Sequence, residues 1–205
     1  MTNSILKVLE FYELCANLKT TIRTGWQQWN VAAPRLESVA EHIYGTCMLA
    51  IAIYSEFKYD IDLNRVIFIL VIHELEETII GDITDFQGIS KEEKHKQGRA
   101  AVEKILCKLT NPKNIASLIK EYQDNKTPEA RFAQSIDKLE CGLQCKIYDR
   151  AGFINPHDKA IAPERREHFE KRNYTRLSDS WLEWCVESYG FDENFINIAR
   201  AARKS

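Results

Sequence analysis

The stretch "ILVIHELEETIIGD", residues 69–82, opens as pure core, yet sets His73, Glu74, Glu76 and Glu77 among leucine and isoleucine before closing on Gly81 and Asp82. Its first residues complete the run "VIFILVI", 66–72, which is apolar on every side of a helix. A helix of that kind is surrounded by other helices. A lone carboxylate there loses several kcal/mol of solvation or stays protonated. A charge partner or a cation removes the cost. His73 and Glu77 are four residues apart and share a helical face, and Glu74 lies beside them along the axis, turned by about 100°. Imidazole and carboxylate together suit a first-row divalent ion. Ionic networks that serve only structure use the same residue types, so this stretch by itself leaves both readings open.

Outward from this stretch the chain reads as helix. Of its 205 residues only 8 are glycine and 5 proline, and apolar positions recur at helical spacing with no sustained alternation. That pattern predicts an all-α fold. Helices are expected at 4–19, 38–58, 62–80, 90–109, 112–125, 128–151, 163–173, 178–189 and 192–203, with an irregular connector at 20–36 carrying Arg23, Trp26 and Trp29. Ser38 with Glu41, and Ser90 with Glu93, have the capping-box form. Pro112 and Pro128 fit a first helical turn, where the missing N–H costs nothing. The length suits one domain over 1–205, with a core at about 21–151 and appended helices at 152–205.

A hydrophobic content of 44% against 28% charged residues is that of an ordinary globular protein, and a net charge of −2 offers no field for nucleic acid or an anionic membrane. The run 66–72 is too short to span a bilayer. The first residues, "MTNSILKVLEFYEL", lack the basic, apolar and small-residue regions of a secretory signal, and none is expected. Six cysteines include no Cys-x-x-Cys pair, which predicts reduced thiols in a cytoplasmic protein. Cys141 and Cys145, one turn apart, read as two small buried hydrophobes or as a metal-binding pair.

Two further residues join the candidates. His42 is in register with Thr46, Leu49 and Ile53 and points inward from the 38–58 helix. Asp137 flanks the stripe formed by Phe132, Ile136, Leu139 and Leu143. In order, "ESVAEH" with His42, "IHELEETIIGD" with His73 and Glu74, and "SIDKLE" with Asp137 resemble the HD-domain phosphohydrolases, in particular the small 5'-deoxynucleotidase branch. The resemblance runs from about 21 to 149 and includes "RTGW" and "SKEEKH".

The resemblance implies a helical HD-domain bundle holding a divalent ion (Mn, Co, Fe, Mg or Zn) through His42, His73, Glu74 and Asp137. The doublet here is His-Glu where the family has His-Asp, so one ligand is a methylene longer. By the same resemblance Glu77 orients or deprotonates water and Arg23 orients the phosphate, for which its planar fork is suited. Asp82 and Thr84 meet the sugar, Trp26 packs near the ligand and Lys94 leans over the phosphate. For Trp26 and Lys94, plain packing and a solvated helix face are the competing readings. The implied partners are a small nucleotide and a second copy of the chain. The expected reaction is release of phosphate from a deoxynucleoside 5'-monophosphate. A triphosphohydrolase acting on deoxynucleoside triphosphates and a non-catalytic nucleotide-binding protein are the alternatives. The aromatic stretch "SWLEWCVESYGFDENF", 180–195, reads as packing, a lid or a dimer surface.

Overall fold

Serine and threonine caps set where the helices begin, and one long helix collects the others around it. The computed structural model describes residues 3–84 and 87–204. The helices are α1 (Asn3–Ala16), α2 (Thr24–Gln28), α3 (Val39–Glu56), α4 (Leu63–Ile72), α5 (Glu77–Ile80) and α6 (Lys91–Leu106), followed by α7 (Lys113–Asp124), α8 (Pro128–Arg150), α9 (Pro163–Lys171), α10 (Leu177–Ser188) and α11 (Glu193–Lys204). Extended pairing among the described residues is confined to a single bridge between Ile22 and Ser38. The chain is all-α.

The capping box at α3 is complete: Ser38 accepts from the Glu41 N–H and Glu41 accepts from the Ser38 N–H. Ser90 accepts from the Glu93 N–H, and Thr127 from the Ala130 N–H with Pro128 just inside α8. Pro112 sits one place earlier than expected, as the residue preceding α7.

The single helix expected over 62–80 is two helices joined by a tight turn. Beyond Ile72 the backbone bonds shorten to three-residue steps, Leu75 to Ile72, Glu77 to Glu74 and Thr78 to Leu75. His73 Nδ1 lies 2.6 Å from the Leu70 carbonyl oxygen, so a side chain bonds a carbonyl that an uninterrupted helix would give to the backbone. Such a tightened stretch inside a helical run commonly marks a functional position. Gly81, at φ +73°, then turns the chain out of α5.

The helix α8 packs against α3, α4, α7, α10 and α11. Its Phe132, Ile136 and Leu139 share one apolar cluster with Ile69 and Leu70 of α4 and Ile105 of α6, and α10 and α11 add Leu182 and Phe195. A second cluster gathers Trp26, Trp29, Tyr148, Phe169 and Leu177. The aromatic 180–195 stretch is mostly packing: Leu182, Cys185, Phe191 and Phe195 are buried, and Trp181 stacks on Trp26 with ring centroids 5.3 Å apart.

Candidate metal centre

Two helices and one turn bring the polar residues together. His42 comes from the first turn of α3, His73 and Glu74 from the turn after α4, and Asp137 from the middle of α8. One ligand atom of each lies within 4.8 Å of the other three. His42 Nε2 is 3.1 Å from Asp137 Oδ1, and His73 Nε2 is 3.7 Å from Glu74 Oε1 and 3.9 Å from Asp137 Oδ1. The extra methylene of Glu74 therefore does not take its carboxylate out of the cluster.

The donors fit a divalent cation. A carbonyl oxygen only accepts, so the 2.6 Å contact with Leu70 places the His73 proton on Nδ1 and leaves the Nε2 lone pair directed at the cluster. That buried Nε2 has no hydrogen-bond partner. His42 is held the same way, with Nδ1 2.6 Å from Glu140 Oε2. Two nitrogens and two carboxylates, each nitrogen's ring anchored through its other nitrogen, form a set suited to first-row ions.

The charges are strongly coupled. Burial and Arg23 act against protonation of His42, but its bonds to Asp137 and Glu140 outweigh them and push its pKa up to about 9. Burial pulls His73 down. Burial opposes ionisation of Asp137, yet Lys138 and the two histidines hold it well below the usual carboxylate range. Tyr122 donates to Asp137 Oδ2 at 2.8 Å and Lys138 Nζ pairs with it at 2.8 Å, leaving Oδ1 toward the histidines. Burial likewise opposes ionisation of Glu74, and His73 and Arg23 more than offset it.

Glu77 lies beside this cluster, 5% exposed, with Oε2 lacking a partner. Burial, then the Glu74 and Asp82 carboxylates, hold its pKa well above the ordinary value. Arg23 also reaches the cluster. Backbone bonds from Arg23 N–H to Glu37 O and from Val39 N–H to Thr21 O pin it to the start of α3. Its guanidinium contacts Glu74 Oε1 at 3.4 Å, Cys141 Sγ at 3.2 Å and Asp82 Oδ1 at 3.9 Å. Asp82 is fixed in turn: Oδ2 accepts from the Thr24 N–H at 2.6 Å and its carbonyl from Thr24 Oγ1 at 2.7 Å.

The remaining expected residues sit farther out. Lys94 donates to the Ile83 carbonyl, and Thr84 Oγ1 donates to Gln28 Oε1 at 2.9 Å. Trp26 is buried in the aromatic cluster, and its indole N–H donates to Glu37 Oε2 at 2.8 Å. Cys141 and Cys145 differ in setting: Cys141 lies by Arg23, whereas Cys145 is buried in the aromatic cluster.

Sequence reasoning missed Glu140 and Glu37. Glu140 lies three residues after Asp137, the interval that puts both on one side of α8. Glu37 precedes the α3 cap and is buried, and burial, then Glu140, raise its pKa to about 7.

Comparison with known proteins gives a consistent picture. Residues 15–180 match the model of the HD domain. The chain is 36% identical over 149 residues to the 5'-deoxynucleotidase HDDC2 of Dictyostelium discoideum, covering 69% of this chain and 77% of that protein. It is 35% identical over 151 residues to the 5'-deoxynucleotidase hdd1 of Schizosaccharomyces pombe, covering 71% and 74%. With the Bos taurus HDDC2 protein the match is 31% over 197 residues and covers 95% and 89%. In fold the chain resembles a predicted metal-dependent phosphohydrolase from Magnetospirillum magnetotacticum, with TM-score 0.68 and 22% identity over 98% of this chain and 92% of the other.

Proposed function

The chain belongs to the HD-domain family, and from that premise we propose that it is a metal-dependent 5'-deoxynucleotidase, releasing phosphate from deoxynucleoside 5'-monophosphates. One observation carries the reading: donors from His42, His73, Glu74 and Asp137 converge within 4.8 Å, with His73 Nε2 buried and unbonded. The activity named for the Dictyostelium, fission-yeast and bovine relatives supports the substrate class.

These four residues would hold a divalent ion, which when bound would supply Lewis acidity. Glu77, with its free Oε2, orients the attacking water and takes its proton. Arg23 grips the phosphate oxygens with its planar fork and exchanges the Glu74 and Asp82 carboxylates for them. As the water oxygen bonds to phosphorus, the bond to the sugar oxygen breaks; that oxygen takes a proton from solvent, balancing the one passed to Glu77, and the nucleoside leaves as an alcohol. Asp82, held by Thr24, and Thr84 face the sugar, Lys94 stands over the phosphate, and Trp26 supports the pocket wall. The same side chains that suit Mn, Fe, Co or Zn also admit Mg with less preference.

The finer features follow from packing. The 152–205 helices act within the same domain, because Leu182 and Phe195 complete the core around α4. A homodimer is supported by exposed apolar side chains on α3 (Tyr44, Met48 and Ile51) and α4 (Phe68 and Val71). Six free thiols support a reducing, cytoplasmic location. No helix among the described residues is long and apolar enough to cross a membrane.

Product analysis under saturating Mn or Co tests the reaction. Free phosphate from a deoxynucleoside monophosphate is the expected result. Intact triphosphate from a deoxynucleoside triphosphate, with monophosphates untouched, would replace it with a triphosphohydrolase, and hydrolysis of neither would leave a nucleotide-binding protein. Arg23→Ala should lower kcat/KM by about 10²–10³-fold, the size of losing one preorganised donor, while metal content holds. Arg23→Lys should restore only part, because a point charge lacks the fork.

A further inference from the structure

Glu140 is 7% exposed and no part of the proposed chemistry uses it. Its Oε2 lies 2.6 Å from His42 Nδ1, on the far side of the ring from Asp137. Its Oε1 occupies a place that only a glycine leaves open. A Cβ on Gly45 of α3 would stand 2.3 Å from Glu140 Oε1 and 3.1 Å from its carboxyl carbon. Gly45 lies three residues after His42, on the same side of the helix. An interior glycine weakens a helix relative to alanine, so its use at this position needs a reason, and the Glu140 carboxylate supplies one.

We infer that Glu140 is a positioning residue for the metal site, admitted by Gly45, which holds the His42 proton on Nδ1 so that the Nε2 lone pair faces the ion. The inference rests on the metal site proposed above. A carboxylate on the outer nitrogen fixes the ring's orientation and raises the basicity of the inner one, and losing such a partner typically weakens metal affinity by about 10–100-fold. Glu140 lies at the end of a flexible side chain. An added methyl at Gly45 can therefore push it aside without unfolding the bundle, and the bond to His42 goes with it.

The test measures Co(II) and Mn(II) affinity by titration calorimetry and the Co(II) absorption spectrum in the wild type, Glu140→Ala, Glu140→Gln and Gly45→Ala, with thermal melts as a check on folding. Glu140→Ala and Gly45→Ala should each bind about 10–100-fold more weakly, with a changed Co(II) spectrum. Glu140→Gln keeps an acceptor and should recover much of the affinity and the wild-type Co(II) spectrum. The double variant Gly45→Ala with Glu140→Ala should be no weaker than Glu140→Ala alone, because the two lesions act through one bond. Wild-type affinity and spectrum in folded Glu140→Ala would overturn the inference while leaving the metal site standing. A wild-type protein that binds neither ion would overturn both.

Discussion

On one side of α8, Phe132, Ile136 and Leu139 close against Ile69, Leu70 and Ile105. On another, Asp137 and Glu140 close against His42, with His73 beside them. Both regions are buried, and the same helix builds both. The apolar region is held by removal of surface from water, about 25 cal/mol for each Å², and no atom in it needs a partner. In the polar region most groups are matched by another, and among those left over, His73 Nε2 and Glu77 Oε2 belong to the groups assigned to metal and water. Substitutions in the first region therefore act on folding, and those in the second on the ion and the reaction. Removing a buried charge can even relieve repulsion, the usual trade between stability and activity.

The sharpest test of that division is His73→Ala or Asp137→Ala. Each should strip the ion and abolish turnover while the protein still melts cooperatively. Ile69→Ala, at a fully buried position, should do the reverse. It should cost about 2–5 kcal/mol of stability and leave the metal affinity of the folded protein unchanged. Metal content by mass spectrometry and unfolding by denaturant on the same samples decide it. An Asp137→Ala protein that keeps its ion, or an Ile69→Ala protein that folds and loses it, breaks the comparison.

A smaller effect separates binding from chemistry within the polar region. Glu77→Ala should keep the ion and the substrate yet lose about 10²–10⁴-fold in kcat, the range supplied by a positioned base. Near-normal kcat in a fully metallated variant would move the base role to Glu76, whose Oε2 is also buried without a partner.

The two regions were not equally legible in the sequence. Helical spacing reports apolar burial directly, and cap residues such as Ser38 and Thr127 report where helices start. Periodicity did not reveal the break after Ile72, because residues 69–80 keep helical spacing while the His73 side chain bonds the Leu70 carbonyl. His42, His73, Glu74 and Asp137 came from a pattern spread along the chain, and the structure brings them together. Glu140 and Glu37 stayed hidden because a glutamate on or before a helix ordinarily faces water. Only the approach of α3 to α8 and the packing of Trp26 put them inside. Gly45 held the available clue, a glycine inside a strong helix with no turn to explain it.

The last and smallest effect concerns Glu37, which stands between the two regions, bonded to Trp26 of the aromatic cluster and repelled by Glu140 of the polar one. Burial, then Glu140, raise its pKa from 4.5 to about 7. Between these values the folded protein keeps a proton that the unfolded chain has released. Stability is thus undiminished by this group below pH 4.5 and falls as pH rises through 7. Each pH unit in the window is worth up to about 1.4 kcal/mol. Glu76, raised to about 7 by burial and then by Glu74, adds to the same slope. Glu37→Gln leaves an amide oxygen to accept from the Trp26 N–H and removes the ionisation. Its melting temperature should therefore match the wild type near pH 4.5 and exceed it near pH 8, with part of the decline remaining from Glu76. Parallel melting curves for the two proteins across that range would show that Glu37 is ionised in the fold and belongs with the charged groups around His42. A flattened curve places it with the aromatic wall.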